Sequence, residues 1–334
     1  MKAYIKAIEY ALPERAVTNE ELVVEFPEWS VDKIANKVGV NKRHVAAPDE
    51  TSKDLAVKAA HKLFDNNKDI DKNDIDFVLF ATQSPDYFLP TSACLIQDEL
   101  GLPTTCGALD FNLGCSAYVY GLSLAKGLMA GGMAKNILLL TGETYSKFIH
   151  PKDKGNKTIF GDAGSATLIS TEGFAEIGNF SFGTDGKGAD NLIVRSGAMR
   201  NRKPIDDVTF DDNGNPISSD HLYMNGSEIF NFTIDAVPVL IKDTLAKNEL
   251  TSEQVDSYVF HQANKFMLNF LRKKVKIEKE KFHLYLSEVG NTVSSTIPIT
   301  LKEKMNESAI KGNVVIAGFG VGYSWAGAVI KFDK

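Results

Sequence analysis

Three cysteines in 334 residues, Cys94, Cys106 and Cys115, are too few for a disulfide framework, and none has C-x-x-C spacing. The six histidines show no H-x-x-x-H or other ligand spacing, so no metal site is expected. Basic tracts and interleaved aromatic and basic residues are missing, and the net charge is −6, which argues against a nucleic-acid surface. No uninterrupted apolar stretch reaches membrane-spanning length, and Met1–Lys6 has no apolar core of signal-peptide size. A cytoplasmic protein with no membrane contact is the expectation. Gly318-x-Gly320-x-Gly322 leaves no room for a following βαβ unit, and Gly322–Gly327 is not G-x-S-x-G. A dinucleotide fingerprint and a serine-hydrolase elbow are both set aside.

What is present is a globular composition, 43% hydrophobic and 24% charged, arranged as a repeated order of elements. In the first half, Thr51 to Phe64 reads as a helix with Leu55, Ala56, Ala59, Ala60 and Leu63 on one face. A strand at Asp76–Ala81, a helix at Thr91–Leu100, a strand at Gly107–Phe111 and a helix at Ser116–Met129 follow. Strands at Asn136–Leu140 and Ala166–Ile169 close the half. The second half repeats the order, with helices at Ile229–Leu245, Phe266–Val275 and Ile299–Met305. Its strands are predicted at Asp256–Phe260, Phe282–Leu286, Asn313–Ala317 and Ala326–Ile330. Residues 183–216, rich in Gly, Asp and Asn, read as a long excursion. The expected class is α/β, with two pseudo-symmetric halves of mixed β-sheet layered with helices. The halves divide into residues 1–175 and 176–334.

Such a fold gathers function where the carboxyl ends of corresponding strands meet. Cys115 follows a strand and opens an apolar helix, so unpaired N–H groups and the helix dipole are expected to favour its thiolate. Gly290-Asn291 falls opposite Gly114-Cys115 in the internal alignment, and His261 ends a strand. Three polar groups distant in sequence are thus expected to converge. Cys94 and Cys106 read as buried small hydrophobes. Asp162 and Glu143 read as loop holders rather than acid or base.

Several segments, taken in order, resemble the β-ketoacyl-acyl-carrier-protein synthase III family of the thiolase superfamily. They are Gly39–Pro48, Asn112–Ala117, Phe160–Ala166, His261-Gln262-Ala263-Asn264, Gly290-Asn291-Thr292 and Gly318–Trp325. The resemblance spans the chain and implies a thiolase-like duplicated fold. It implies Cys115 as acyl-accepting nucleophile, with His261 and Asn291 as partners that bind an enolate oxygen. Backbone N–H groups of Cys115 and Val321 would form the oxyanion hole. Asn264, Ser227 and Leu89 would line the pantetheine and substrate tunnel, and Lys265, Arg272, Lys273 and Lys274 would face an acidic carrier protein.

The implied reaction is loading of an acyl thioester primer on Cys115, then decarboxylative condensation with malonyl-acyl-carrier protein to a 3-ketoacyl product. No cofactor is implied beyond the pantetheine that substrates carry, and a homodimer is implied. Thiolases use a second cysteine near the carboxyl end, and none follows Cys115. Elongating ketosynthases use two histidines, where this chain has Asn291 at the second place. A polyketide-synthase-type acyltransferase, a non-catalytic thioester-binding homologue and a cysteine hydrolase are the alternatives. The chain departs from the family pattern at Lys33, Lys37, Phe266 and Val321, where tryptophan, arginine, arginine and glycine are common. Leu89 stands where a bulkier phenylalanine often closes the partner's acyl pocket.

Overall fold

The computed structural model describes residues 2–212 and 214–332. Nine strands form one continuous sheet: β1 (Tyr4–Ala11), β2 (Phe77–Ala81), β3 (Gly107–Phe111), β4 (Ile137–Glu143), β5 (Ala163–Ser170), β6 (Ala175–Thr184), β7 (Ser257–Phe260), β8 (Asn313–Gly320) and β9 (Ser324–Phe332). Their spatial order is β7-β8-β9-β6-β1-β5-β4-β2-β3. Read outward from the β1–β6 junction, the two sides carry the same succession. Each has an antiparallel hairpin (β5 with β4, β9 with β8), then a parallel strand (β2, β7). The join is short, only Tyr4 with Glu176 and Ile5 with Ala175.

The nine helices among the described residues are α1 (Asn19–Glu25), α2 (Val31–Lys37), α3 (Ser52–Asn66), α4 (Ser92–Glu99), α5 (Ala117–Ala130), α6 (Lys154–Ile159), α7 (Gly226–Lys247), α8 (Lys265–Lys274) and α9 (Thr296–Asn306). Helix α5 touches β2 and β4 of one half and β6, β8 and β9 of the other, so the sheet curls around it. Helix α9 likewise meets β1, β5 and β7. These two form a central layer; α3 and α4 cover the outer face of the first half, and α7 lies on β6, β8 and β9 with α8 beside it. Burial matches the predicted faces. Leu55, Ala56, Ala59, Ala60 and Leu63 of α3 are fully buried. The same helix opens with a capping box, Thr51 and Asp54 each bonding the other's backbone N–H.

Two differences from the sequence expectation stand out. Residues 282–286 occupy the place that β3 holds in the first half, yet form no strand. They make one parallel bridge, Phe282 with Tyr258, and His283 N–H donates to the Tyr258 carbonyl. Gln262 then intervenes: its Oε1 accepts from Tyr285 N–H, and its Nε2 donates to the Phe260 carbonyl at 2.6 Å. Strands β1 and β6 were not anticipated, although they join the halves. The 183–216 excursion is real. Its residues contribute to two small ladders, Leu192–Ile193 with Tyr223–Met224 and Thr209–Phe210 with Pro216–Ile217. No described helix is long and apolar enough to cross a membrane.

Candidate active site

Cys115 lies between β3 and α5 and is buried, 6% exposed. The chain turns there through Gly114, whose carbonyl accepts from Ala117 N–H at 2.9 Å, and Tyr120 N–H reaches Ser116 O at 3.2 Å. The Ser116 and Ser324 hydroxyls, 2.8 Å apart, tie this turn to β9. Strand β8 passes directly beneath. A methyl group on Gly320 would sit 3.0 Å from Cys115 Sγ, and one on Gly318 would sit 2.6 Å from the Cys115 carbonyl, so both glycines permit the approach.

Burial pushes the Cys115 thiol up to about 12, and the buried Glu143 carboxyl adds to the rise. The backbone N–H groups of Cys115 and Val321 act the other way. The expected thiolate is therefore corrected to a resting thiol, because desolvation outweighs the local donors. Those two N–H groups are the pair expected to serve as oxyanion donors. Val321 adopts no positive φ; the left-handed backbone in this turn falls on Gly322.

His261 continues β7, its N–H donating to the Ala317 carbonyl at 2.8 Å, and the residue is 2% exposed. Nδ1 lies 2.8 Å from Thr296 Oγ1. Burial lowers the imidazole to about 3, so it is neutral near pH 7. Asn291 is pinned through its backbone, with N–H on Ile159 O at 2.8 Å and its carbonyl on Gly161 N–H at 3.0 Å. Its side-chain Oδ1 accepts from Val293 N–H at 2.9 Å. Cys115, His261 and Asn291 all line one cavity, with Tyr145, Phe160 and Phe319 among the apolar walls.

The peripheral residues divide. Asn264 lines this cavity and also caps α8, its Oδ1 accepting from Met267 N–H at 2.9 Å. Ser227 does not: it is exposed in the first turn of α7, while Gly226 and Ile229 line the wall. Leu89 is 80% exposed and belongs with Tyr87 and Phe88 to an adjoining groove, which shares Tyr145 and Leu192 with the Cys115 cavity.

Lys265 and Lys273 are exposed, and Lys274 Nζ lies 3.6 Å from Asp235. Arg272 is half-buried and its Nη1 donates to the Ile277 carbonyl at 3.0 Å, just past the end of its own helix. Cys94 is exposed, not buried, because Ser92, Ala93 and Ile96 take the inner face of α4.

Asp162 and Glu143 do hold loops. Asp162 accepts from Ala46 and Ser146 N–H groups, and Glu143 accepts from Gln83 N–H and the Ser84 hydroxyl. Sequence reasoning missed Thr296 and Val293, whose side chain and backbone, respectively, bond His261 and Asn291. Lys33 places its ammonium 4.6 Å from the centre of the Trp29 ring, so that face is already occupied. Among the described residues there is no cluster of three or more metal-type side chains.

Comparison with known proteins agrees with this geometry. The family described as 3-oxoacyl-[acyl-carrier-protein] synthase III matches residues 109–186, and its C-terminal counterpart matches residues 245–332. The β-ketoacyl-[acyl-carrier-protein] synthase III of Clostridium perfringens is 36% identical over 322 residues, covering 96% of each chain. A crystal structure of a 3-oxoacyl-(acyl-carrier-protein) synthase III superposes with TM-score 0.96 at 47% identity, covering 99% of this chain and 100% of the other. The corresponding synthase of Burkholderia xenovorans superposes with TM-score 0.89 at 38% identity, covering 100% of this chain and 95% of the other. With its fold, its motifs and whole-length relatives in agreement, the chain belongs to the 3-oxoacyl-acyl-carrier-protein synthase III family of condensing acyltransferases.

Proposed function

We propose that this enzyme loads an acyl primer on Cys115 and condenses it with malonyl-acyl-carrier protein, using His261 and Asn291 as partners to the malonyl thioester. The observation that carries this reading is the meeting of all three side chains in one buried cavity, with the Cys115 and Val321 N–H groups directed at Sγ. Sγ attacks the primer carbonyl, and the thiol proton leaves with the departing pantetheine thiol. The two N–H groups receive the tetrahedral oxyanion. In the second step the malonyl carboxylate leaves as CO₂ and its bonding pair becomes an enolate. Asn291 Nδ2 and His261 Nε2 are the side-chain nitrogens left free to donate to that oxygen. The carbanion attacks the acyl carbonyl, the C–S bond breaks, and Cys115 takes up a proton as the 3-ketoacyl thioester departs. Decarboxylation supplies the nucleophile, so no base need remove a carbon-bound proton.

The carrier protein is proposed to dock across the exposed side of α8. Lys265, Lys273 and Lys274 give positive charge there, and Phe266 and Phe270 form an exposed aromatic cluster with Phe230. Asn264 and Met267 of the same segment line the cavity. A homodimer is proposed through the open edge of β3 and the groove holding Tyr87, Phe88 and Leu89. The duplication boundary is proposed at residues 175 and 176, where the halves join. No cofactor is needed beyond substrate pantetheine, and the working compartment is proposed to be the cytoplasm, consistent with three unpaired thiols.

Intact-protein mass spectrometry with acyl-coenzyme A and acyl-carrier-protein primers tests the reading. An acyl mass on the Cys115 peptide, absent in Cys115→Ala and discharged only by malonyl-carrier protein, is expected. Discharge by water alone would make the enzyme a hydrolase, and labelling that survives Cys115→Ala would overturn the nucleophile.

A further inference from the structure

Val293 has φ of +54°, in the left-handed region that a β-branched residue resists. It is fully buried, and both of its backbone polar groups are committed to the active site. Its N–H holds Asn291 Oδ1 at 2.9 Å, which leaves the Asn291 amide nitrogen for the cavity. Its carbonyl accepts from the Thr296 hydroxyl at 3.0 Å, and that same hydroxyl oxygen lies 2.8 Å from His261 Nδ1. Thr296 is itself 2% exposed, so no bulk water competes for its hydroxyl. One strained residue is therefore the common anchor of both partners to Cys115.

We propose that Thr296 is a positioning residue that sets the tautomer of His261, with Val293 fixing the frame in which it does so. The Thr296 hydroxyl has one hydrogen and two acceptors within reach, the Val293 carbonyl and His261 Nδ1. While that hydrogen is given to the Val293 carbonyl, Oγ1 can only accept from Nδ1–H; turned instead to Nδ1, it leaves the ring proton on Nε2, which is the donor a forming enolate requires. The imidazole then serves while neutral, in a site where burial opposes a charged ring. Without the hydroxyl, the Val293 backbone, which already hydrogen-bonds the imidazole, is left as its partner. The Val293 carbonyl can only accept, so the proton would move to Nδ1 and Nε2 would face the cavity bare. This inference rests on the enolate role proposed for His261. It adds a residue that touches no substrate.

The test compares Thr296→Val, Thr296→Ala and Thr296→Ser in the full-length enzyme, with His261→Ala as reference. Acylation of Cys115 and condensation with malonyl-carrier protein are measured separately. Thr296→Val and Thr296→Ala are expected to lower condensation kcat by roughly 100- to 1000-fold, on the scale of a lost preorganised donor. Acylation, and KM for malonyl-carrier protein, should stay within about twofold, the spread allowed when binding is untouched. Thr296→Ser should restore condensation. Ring ¹⁵N shifts should show the proton moving from Nε2 to Nδ1 in the variants that lack the hydroxyl. Acylation reports folding, so parallel loss of both steps in the Val and Ala variants, unrescued by serine, would make Thr296 merely structural and overturn the proposal. Normal condensation in Thr296→Val beside a dead His261→Ala would overturn the proposal alone. Normal condensation in His261→Ala would instead remove the reading it rests on.

Discussion

At the scale of single residues, the site is built from groups whose neutral forms are favoured. The Cys115 thiol is pushed up to about 12, so its alkylation by iodoacetamide should climb about tenfold per pH unit through pH 9. Peptide-resolved labelling checks this, and a plateau near pH 7 would mean that a thiolate rests there after all. His261 gives the complementary effect on stability. Its ordinary value of 6.5 falls to about 3 in the fold, so below pH 6.5 the unfolded chain binds a proton that the native state refuses. Stability is complete above that pH and declines as pH drops toward 3, with a slope of up to about 1.4 kcal/mol per unit from this group. Denaturant titrations from pH 4 to 7 should show a shallower slope in His261→Gln, and an unchanged slope would show that the imidazole is charged in the fold. The three polar residues that line the cavity, Cys115, His261 and Asn291, were legible because each lies beside glycine or within a distinctive motif. Thr296 and Val293 were not. A threonine before an apolar helix has many ordinary uses, and backbone sign cannot be read from a valine.

Elements show how much patterning can reveal. The amphipathic helix α3 matched to within two residues at its ends, because a capping box and a five-residue buried stripe mark it independently. Strand β1 escaped notice because Lys6 and Glu9 interrupt its apolar pattern, although Glu9 is buried against Lys302. The segment 282–286 carries strand residues, yet the Gln262 side chain takes the Tyr285 N–H that a ladder would have used. Tertiary competition of this kind leaves no local signature. Helix α8 joins stability to function through Asn264, which caps its first turn and lines the cavity. Asn264→Ala should cost about 1 kcal/mol through the lost cap and should also raise KM for the thioester substrates. Thermal melting and steady-state kinetics together check both parts, and a change in only one would separate capping from binding.

The whole molecule is a duplicated sheet wrapped around α5 and α9, and this placed Cys115 against residues more than 140 positions away, since 261 − 115 = 146. Repetition of element order in the sequence was enough to anticipate that meeting. It did not reveal that the two halves would share one continuous sheet. Phe88 and Leu89 are 66% and 80% exposed beside the β3 edge, a contiguous apolar surface that solvent disfavours. Light scattering should give twice the chain mass, and Phe88→Asp with Leu89→Asp should shift it toward the single chain. A wild-type monomer at micromolar concentration would refute the pairing. The asymmetry between the sheet's margins bears on what such pairing can become. On one side β3 offers unpaired peptide groups, while beyond β7 residues 282–286 lie across the corresponding margin and bend away after one bridge. A ribbon that can be lengthened from only one end is finished after a single addition. Two copies pairing there, as proposed, would consume each other's open margin of the nine-stranded sheet, so the backbone chemistry that drives fibril growth elsewhere would end in a closed pair.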